Sequence, residues 1–157
     1  MTSTDPLSLE RQVCFALTVA SRSIVAAYRP VLDPLGITHP QYLVLLALWE
    51  EEPLALTELA TRLHQEAPTL SPLVKRLEAR GLVERRRNTE DERRLEVSLT
   101  SAGADLRRRA ERVPAEMASR LGMSTARLEE LHAAMLELIE ASERSLRNDM
   151  GSTPREA

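Results

Sequence analysis

The chain has 157 residues, 43% hydrophobic but only 3% aromatic, and a formal net charge of −3. That length suits one domain of ordinary size, with a core mostly of Leu, Val and Ala, a composition that favours helices. No run approaches the ~18–20 uncharged apolar residues of a membrane span, and residues 1–6 lack the basic and apolar regions of a signal peptide, so no membrane partner is expected and the expected compartment is the cytoplasm.

Cys14 is the single cysteine, so it forms no intramolecular disulfide and builds no zinc site alone. His39, His64 and His132 are scattered without ligand spacing, and the glycine-rich phosphate fingerprints are absent. No metal and no cofactor are therefore expected. Nor is an enzyme expected, because only Cys14 with His39 imitates a nucleophile and base. The net charge conceals a pattern: residues 62–94 carry +3, against −4 before them and −2 after them. A local positive segment, not the total, makes an electrostatic footprint for DNA.

In chain order, Asp5 and Pro6 read as the start of a first helix over about residues 6–31. Leu9, Val13, Leu17, Ala20, Ile24, Ala27 and Val31 recur at helical spacing, and Pro30, Pro34 and Gly36 close it. Such a helix puts Cys14 about two turns inside, too far for much help from the helix dipole. Thr38-His39-Pro40-Gln41 reads as a capping-box start. The run 42–49 is apolar nearly all round and belongs at the centre of the fold. Residues 54–56 form a short extended link, and Thr57 caps a short helix to about His64. After the turn 65–68, a helix over 68–80 ends at Gly81. It has Leu70, Leu73, Val74 and Leu77 on one face and Ser71, Pro72, Lys75 and Arg76 on the other. Residues 82–87 and 94–99 read as strands around the polar turn 88–93. Thr100 caps a helix over about 101–121, bent near Pro114. Ser124 caps a last one over about 125–147, and the tail 151–157 is expected to fray.

Short helix, tight turn, second helix and hairpin, in that order, make a winged helix-turn-helix: a mainly α fold with a small β-hairpin wing. A helix with one apolar stripe docks on its scaffold and leaves the other face for the major groove. Thr69 and Ser71 suit base edges or phosphates near the helix start at Pro68, and Lys75 and Arg76 suit phosphates or guanine. Arg93 at the hairpin tip suits the adjacent minor groove. Arg85, Arg86 and Arg87 lie at its base. Asp91 pairs with Arg93 or Arg94 to hold the turn, or serves the DNA contact directly.

Residues 88–100, with Asp91-x-Arg93 and then Val97-Ser98-Leu99-Thr100, resemble the wing signature of the MarR family, and the resemblance runs from Leu9 to about Arg147. Three stretches are similar to its organic-hydroperoxide-sensing OhrR branch: residues 9–17, 40–44 and 69–78. The resemblance implies a homodimer held by the terminal helices (about 6–35 and 101–148) around a DNA-binding lobe (about 38–100). It implies repression, DNA contacts from the 68–80 helix and the wing (Pro68, Pro72, Arg86 and Asp91 included), and a pseudo-palindromic duplex operator. It implies Cys14 as the peroxidatic thiol. Relatives surround that thiol with tyrosine hydroxyls. Tyr28 matches one such position, whereas Thr18 and His39 stand where relatives often have tyrosine, and Ala67-Pro68 replaces a Ser-Gly pair.

Cys14 and Tyr28 are fourteen residues apart on nearly one helical face, roughly 21 Å along the axis at ~1.5 Å per residue. They meet only if two antiparallel copies cross near Ser21, which predicts a redox site across the dimer interface. His39 adds a hydrogen bond or a positive charge there. A peroxide then oxidises Cys14 to sulfenic acid, which a small thiol converts to a mixed disulfide or which oxidises further. Two readings compete. In one, a small aromatic ligand binds an interlobe cleft lined by Thr18, His39 and Tyr42. In the other, the chain is a helical interaction module without DNA binding.

Overall fold

The apolar run at 42–49 sets the architecture. In the computed structural model, which describes residues 5–151, it lies in α2 (His39–Glu50) and buries Tyr42, Val44, Leu45, Ala47 and Leu48. The expected capping box is present: Thr38 Oγ1 accepts the Gln41 N–H at 3.4 Å and Gln41 Oε1 accepts the Thr38 N–H at 3.0 Å. These bonds account for Gln41, the one buried polar side chain among the described residues.

The first helix starts later than the sequence suggests. Asp5 Oδ1 accepts the Leu7 N–H, Leu9–Arg11 forms a 3-10 turn, and the Gln12 side-chain amide donates to the Pro6 carbonyl at 2.8 Å. These local bonds offer the backbone an alternative to helix, and α1 runs over Val13–Leu32. Pro30 does not end it; the helix continues one half-turn to Leu32, and Gly36 at φ 69° closes the 3-10 turn that follows.

β1 (Leu54–Ala55) leads into α3 (Leu56–Arg62). Thr57 is not the cap. Ala55 holds that position, and its N–H donates to Glu58 Oε2 at 2.9 Å. α4 (Ala67–Ala79) follows with Pro68 in its first turn, where a missing N–H costs nothing. It ends at Gly81 (φ 71°), where the Leu82 N–H returns to the Leu77 carbonyl. β2 (Val83–Arg87) and β3 (Leu95–Leu99) pair antiparallel with Arg85 opposite Val97, and β1 adds to the other edge of β3.

The predicted helix over 101–121 is two helices, α5 (Ser101–Ala110) and α6 (Val113–Leu121). Thr100 Oγ1 caps α5 by accepting the Gly103 N–H at 3.1 Å. Pro114 falls in the first turn of α6, so it begins a helix rather than bending one. α7 (Thr125–Gly151) outlasts its expected end near Arg147, and Ser124 Oγ accepts the Arg127 N–H. The predicted frayed tail lies mostly outside the described residues.

The chain divides into two compact units, Met1–Met117 and Ala118–Ala157. In the first, Leu45, Leu48, Leu59, Leu70, Leu77 and Val97 are fully buried and fix α2, α3, α4 and the sheet as one core. In contrast, α1 buries only Val31 and Leu32, leaving Val13, Phe15, Val19, Ile24 and Val25 exposed. In the second unit α7 exposes Met135, Leu136, Ile139 and Leu146. No single described helix is long and apolar enough to cross a membrane.

Candidate nucleic-acid interface and redox site

The apolar stripe of α4 docks as expected, with Leu70, Val74 and Leu77 buried. Its opposite face leaves Pro68, Thr69, Pro72, Lys75 and Arg76 exposed and Ser71 half-buried. Lys75 and Arg76 carry no ion pair among the described residues. The arginines of β2 are already engaged. Arg85 Nη2 lies 2.7 Å from Glu78 Oε2, and this pairing holds the Glu78 carboxyl below the usual carboxylate range. Arg86 pairs with Glu84 at 2.9 Å, and Arg87 donates to the Glu92 carbonyl at 2.8 Å. The free cations of the basic segment therefore lie on the α4 face and at the wing, not along β2.

The wing turn is knotted by side chains. Asn88 Oδ1 accepts the N–H groups of Glu90 and Asp91, and the Asn88 N–H donates to the Arg94 carbonyl at 2.8 Å. Asp91 does hold the turn, but through the backbone: its Oδ1 accepts the Arg93 N–H at 3.0 Å. Its carboxylate is thus spent on Arg93's peptide, not on a guanidinium. Arg94 turns instead to Glu58, Nη2 to Oε1 at 2.8 Å, and to Glu96 at 3.4 Å. The sequence offered Arg94 only as a partner of Asp91 and did not single out Glu58, which stands 36 residues away.

Cys14 is exposed and is the second residue of α1. The later helix start therefore overturns the expectation of a thiol two turns inside. Cys14 sits in the first turn of α1, directly after the 3-10 turn. The Thr18 hydroxyl donates to the Cys14 carbonyl at 2.8 Å and is occupied there. Toward the other end of α1, Tyr28 packs on His39 (ring centroids 4.9 Å apart) and on Tyr42 (5.9 Å). Burial pushes the Tyr28 phenol up, and burial together with Tyr28 pushes up that of Tyr42. Burial pushes the His39 imidazole below its ordinary value of 6.5, which favours the neutral ring and, of the two expected contributions, the hydrogen bond. The four redox candidates thus fall into two pairs within one chain, Cys14 with Thr18 and Tyr28 with His39.

The ring series continues to Trp49, 6.4 Å from Tyr42, whose Nε1 donates to the Gly103 carbonyl at 2.9 Å. Beside it a cleft of about 290 Å³ is lined by Tyr42, Leu46, Trp49, Arg107, Ala110 and Pro114, among others. Thr18 and His39, expected to line a cleft with Tyr42, are not part of it. His39 lines a separate cavity of about 220 Å³ with Val25, Arg29 and Ile37. The sole tryptophan, at the end of an apolar run, was the available signal for this cleft. Among the described residues no cluster of His, Cys, Asp and Glu could hold a metal ion.

Residues 37–95 match the MarR family model. The chain is 41% identical over 136 residues to the organic hydroperoxide resistance transcriptional regulator of Bacillus subtilis, covering 87% of this chain and 92% of that one. It is similar to the regulator MgrA of Staphylococcus aureus, 32% identical over 138 residues, covering 87% and 94%. Among solved structures it resembles reduced AbfR bound to DNA, a protein of Staphylococcus epidermidis, at 33% identity and a TM-score of 0.79, covering 88% and 94%.

Proposed function

The chain belongs to the MarR family, and from that premise we propose that it is a homodimeric repressor released from duplex DNA when an organic hydroperoxide oxidises Cys14. Helices over about 6–35 and 101–148 form the dimer body, and residues 38–100 form the DNA-binding lobe. The α4 face enters the major groove, with Thr69, Ser71, Lys75 and Arg76 at bases and phosphates and Pro68 and Pro72 in close contact. Arg93 enters the minor groove, Asp91 holds it there, and Arg86 exchanges Glu84 for the flanking phosphates. DNA binding by a relative of this similarity supports this part of the reading.

The observation that carries the redox part is the placement of the single cysteine. Cys14 is exposed in the first turn of a helix that also exposes Val13, Phe15, Val19, Ile24 and Val25. A second copy crossing α1 antiparallel near Ser21 covers them and brings its Tyr28 and His39 to Cys14. The thiolate attacks the hydroperoxide; the S–O bond forms, the O–O bond breaks, and an alcohol leaves after taking a proton. The sulfenic acid has no second cysteine in its chain. A small thiol condenses with it, forming the S–S bond and releasing water. The added bulk disturbs α1 and shifts the two recognition helices from the ~34–36 Å spacing of successive major grooves.

DNA affinity is to be measured for the wild type and Cys14→Ser, with and without tert-butyl hydroperoxide. Oxidant should release the wild type alone. Equal release of the Ser variant removes Cys14 as the sensor.

A second reading keeps the DNA-binding dimer and replaces the oxidant with a small aromatic ligand. The cleft at Tyr42, Trp49 and Arg107 favours it, with rings for an apolar body and, between the carboxylates of Glu50 and Glu111, a guanidinium for a phenolic oxygen. Release of Cys14→Ser by a phenolate, abolished by Arg107→Ala, is its expected outcome.

A further inference from the structure

Glu58 uses its two carboxylate oxygens for two tasks. Oε2 accepts the Ala55 N–H and closes the first turn of α3, while Oε1 accepts from Arg94 Nη2 at the foot of β3. Arg94 Nε also reaches Glu96 Oε1, and the same oxygen accepts from Asn88 Nδ2 at 2.7 Å. Asn88 Oδ1 holds the N–H groups of Glu90 and Asp91, and Asp91 Oδ1 holds that of Arg93. A continuous polar chain therefore runs from α3 to the wing residue Arg93. The strand ladder stops short of it, its last pair being Arg87 with Leu95.

We propose that Glu58 and Arg94 form a positioning pair that sets the wing against the helix-turn-helix and so aims Arg93 at the minor groove. This rests on the DNA-binding reading above. An isolated exposed ion pair contributes little, because two long side chains must be ordered to make it. Here each partner is already held from a second side, Glu58 by the Ala55 N–H and Arg94 by Glu96, so less freedom is lost in joining them. Charge alone argues in the opposite direction. Neutralising an acid beside a polyanion should raise affinity, whereas breaking a strut should lower it. The sign of the effect separates the two.

The test uses Glu58→Gln in the full-length dimer. The amide keeps an oxygen for the Ala55 N–H, as Gln41 does for the Thr38 N–H, so the fold is retained. The probe is a duplex selected by the wild-type protein from a random-sequence pool. E58Q should bind it about three- to tenfold more weakly. It should lose protection of adenine N3 in the minor groove from dimethyl sulfate while keeping that of guanine N7 in the major groove. R94Q should lose the same protection, and the double variant E58Q/R94Q should be no weaker than R94Q alone. E66Q, which removes an acid beside the start of α4 outside this chain of bonds, should bind as tightly as the wild type or tighter. Wild-type affinity and minor-groove protection in E58Q would overturn the positioning role alone. A wild-type protein that selects no duplex overturns the DNA-binding reading and this proposal with it.

Discussion

Gly103, in the first turn of α5, lies so close to the Leu82 carbonyl oxygen that a Cβ would occupy the same space, with a Leu99 methyl at 3.2 Å closing the other side. Its carbonyl also anchors Trp49. Helix propensity favours alanine over glycine by ~1 kcal/mol, but forcing a methyl group into packed backbone costs about 1–3 kcal/mol. Packing should win: Gly103→Ala is expected to unfold at lower urea, with a changed Trp49 emission. A variant as stable as the wild type would contradict this contact. His39 makes a different prediction. Its folded pKa is depressed by burial, so the unfolded chain binds the proton first. Its contribution is complete above the unfolded value near 6.5 and is lost as pH falls through the lower folded value. Unfolding temperature should therefore drop as pH falls from about 6.5 through the lower folded value, and His39→Gln should flatten the drop relative to the wild type. Parallel curves for the two proteins would remove the burial cost from His39.

At the scale of elements, the sequence was most legible where a residue's own type closes its turn. Thr38 with Gln41 fixed the start of α2, Gly81 fixed the end of α4, and Thr100 fixed the start of α5. The starts of α1 and α3 were misread for one physical reason. Asp5 and Thr57 are good caps by type, yet Gln12 and Glu58 bind nearby backbone groups instead. Side-chain competition of this kind depends on reach, which composition does not display. The exposed face of α4 followed from periodicity, but the employment of Arg85, Arg86 and Arg87 did not, because their partners come from α4, β2 and the wing turn. This division predicts different salt behaviour. Lys75→Ala should weaken binding about evenly across duplex sequences and reduce the salt slope by about one ion. Arg85→Ala should leave the slope unchanged and lower stability through its loss from Glu78. The dependence of log affinity on log salt for both variants checks the assignment; equal slopes for K75A and the wild type would take Lys75 off the phosphates.

At the scale of the molecule, the redox candidates raise a question one chain cannot answer by itself. Cys14 and Tyr28 stand near opposite ends of one helix, and the exposed Phe15, Val19, Ile24 and Val25 between them need a partner surface. The sequence identified these residues and, from the roughly 21 Å that separates Cys14 and Tyr28 along one helix, predicted that Tyr28 comes from the other copy. Mixed dimers decide it. If each site joins Cys14 of one subunit to Tyr28 of the other, a C14S chain paired with a Y28F chain keeps one intact site. A C14S/Y28F chain paired with a wild-type chain then keeps none. If both residues act within one chain, the two mixed dimers exchange behaviour. Losing the phenol hydroxyl should slow oxidation about tenfold, roughly the ~1.5 kcal/mol of a hydrogen bond to a charged group. Differently tagged chains purified as heterodimers, treated with tert-butyl hydroperoxide and followed by loss of free thiol, should therefore show the first pairing reacting at the wild-type rate per thiol and the second about tenfold slower. The reverse order would place the site within a single subunit and remove the crossing of α1 helices on which it depends.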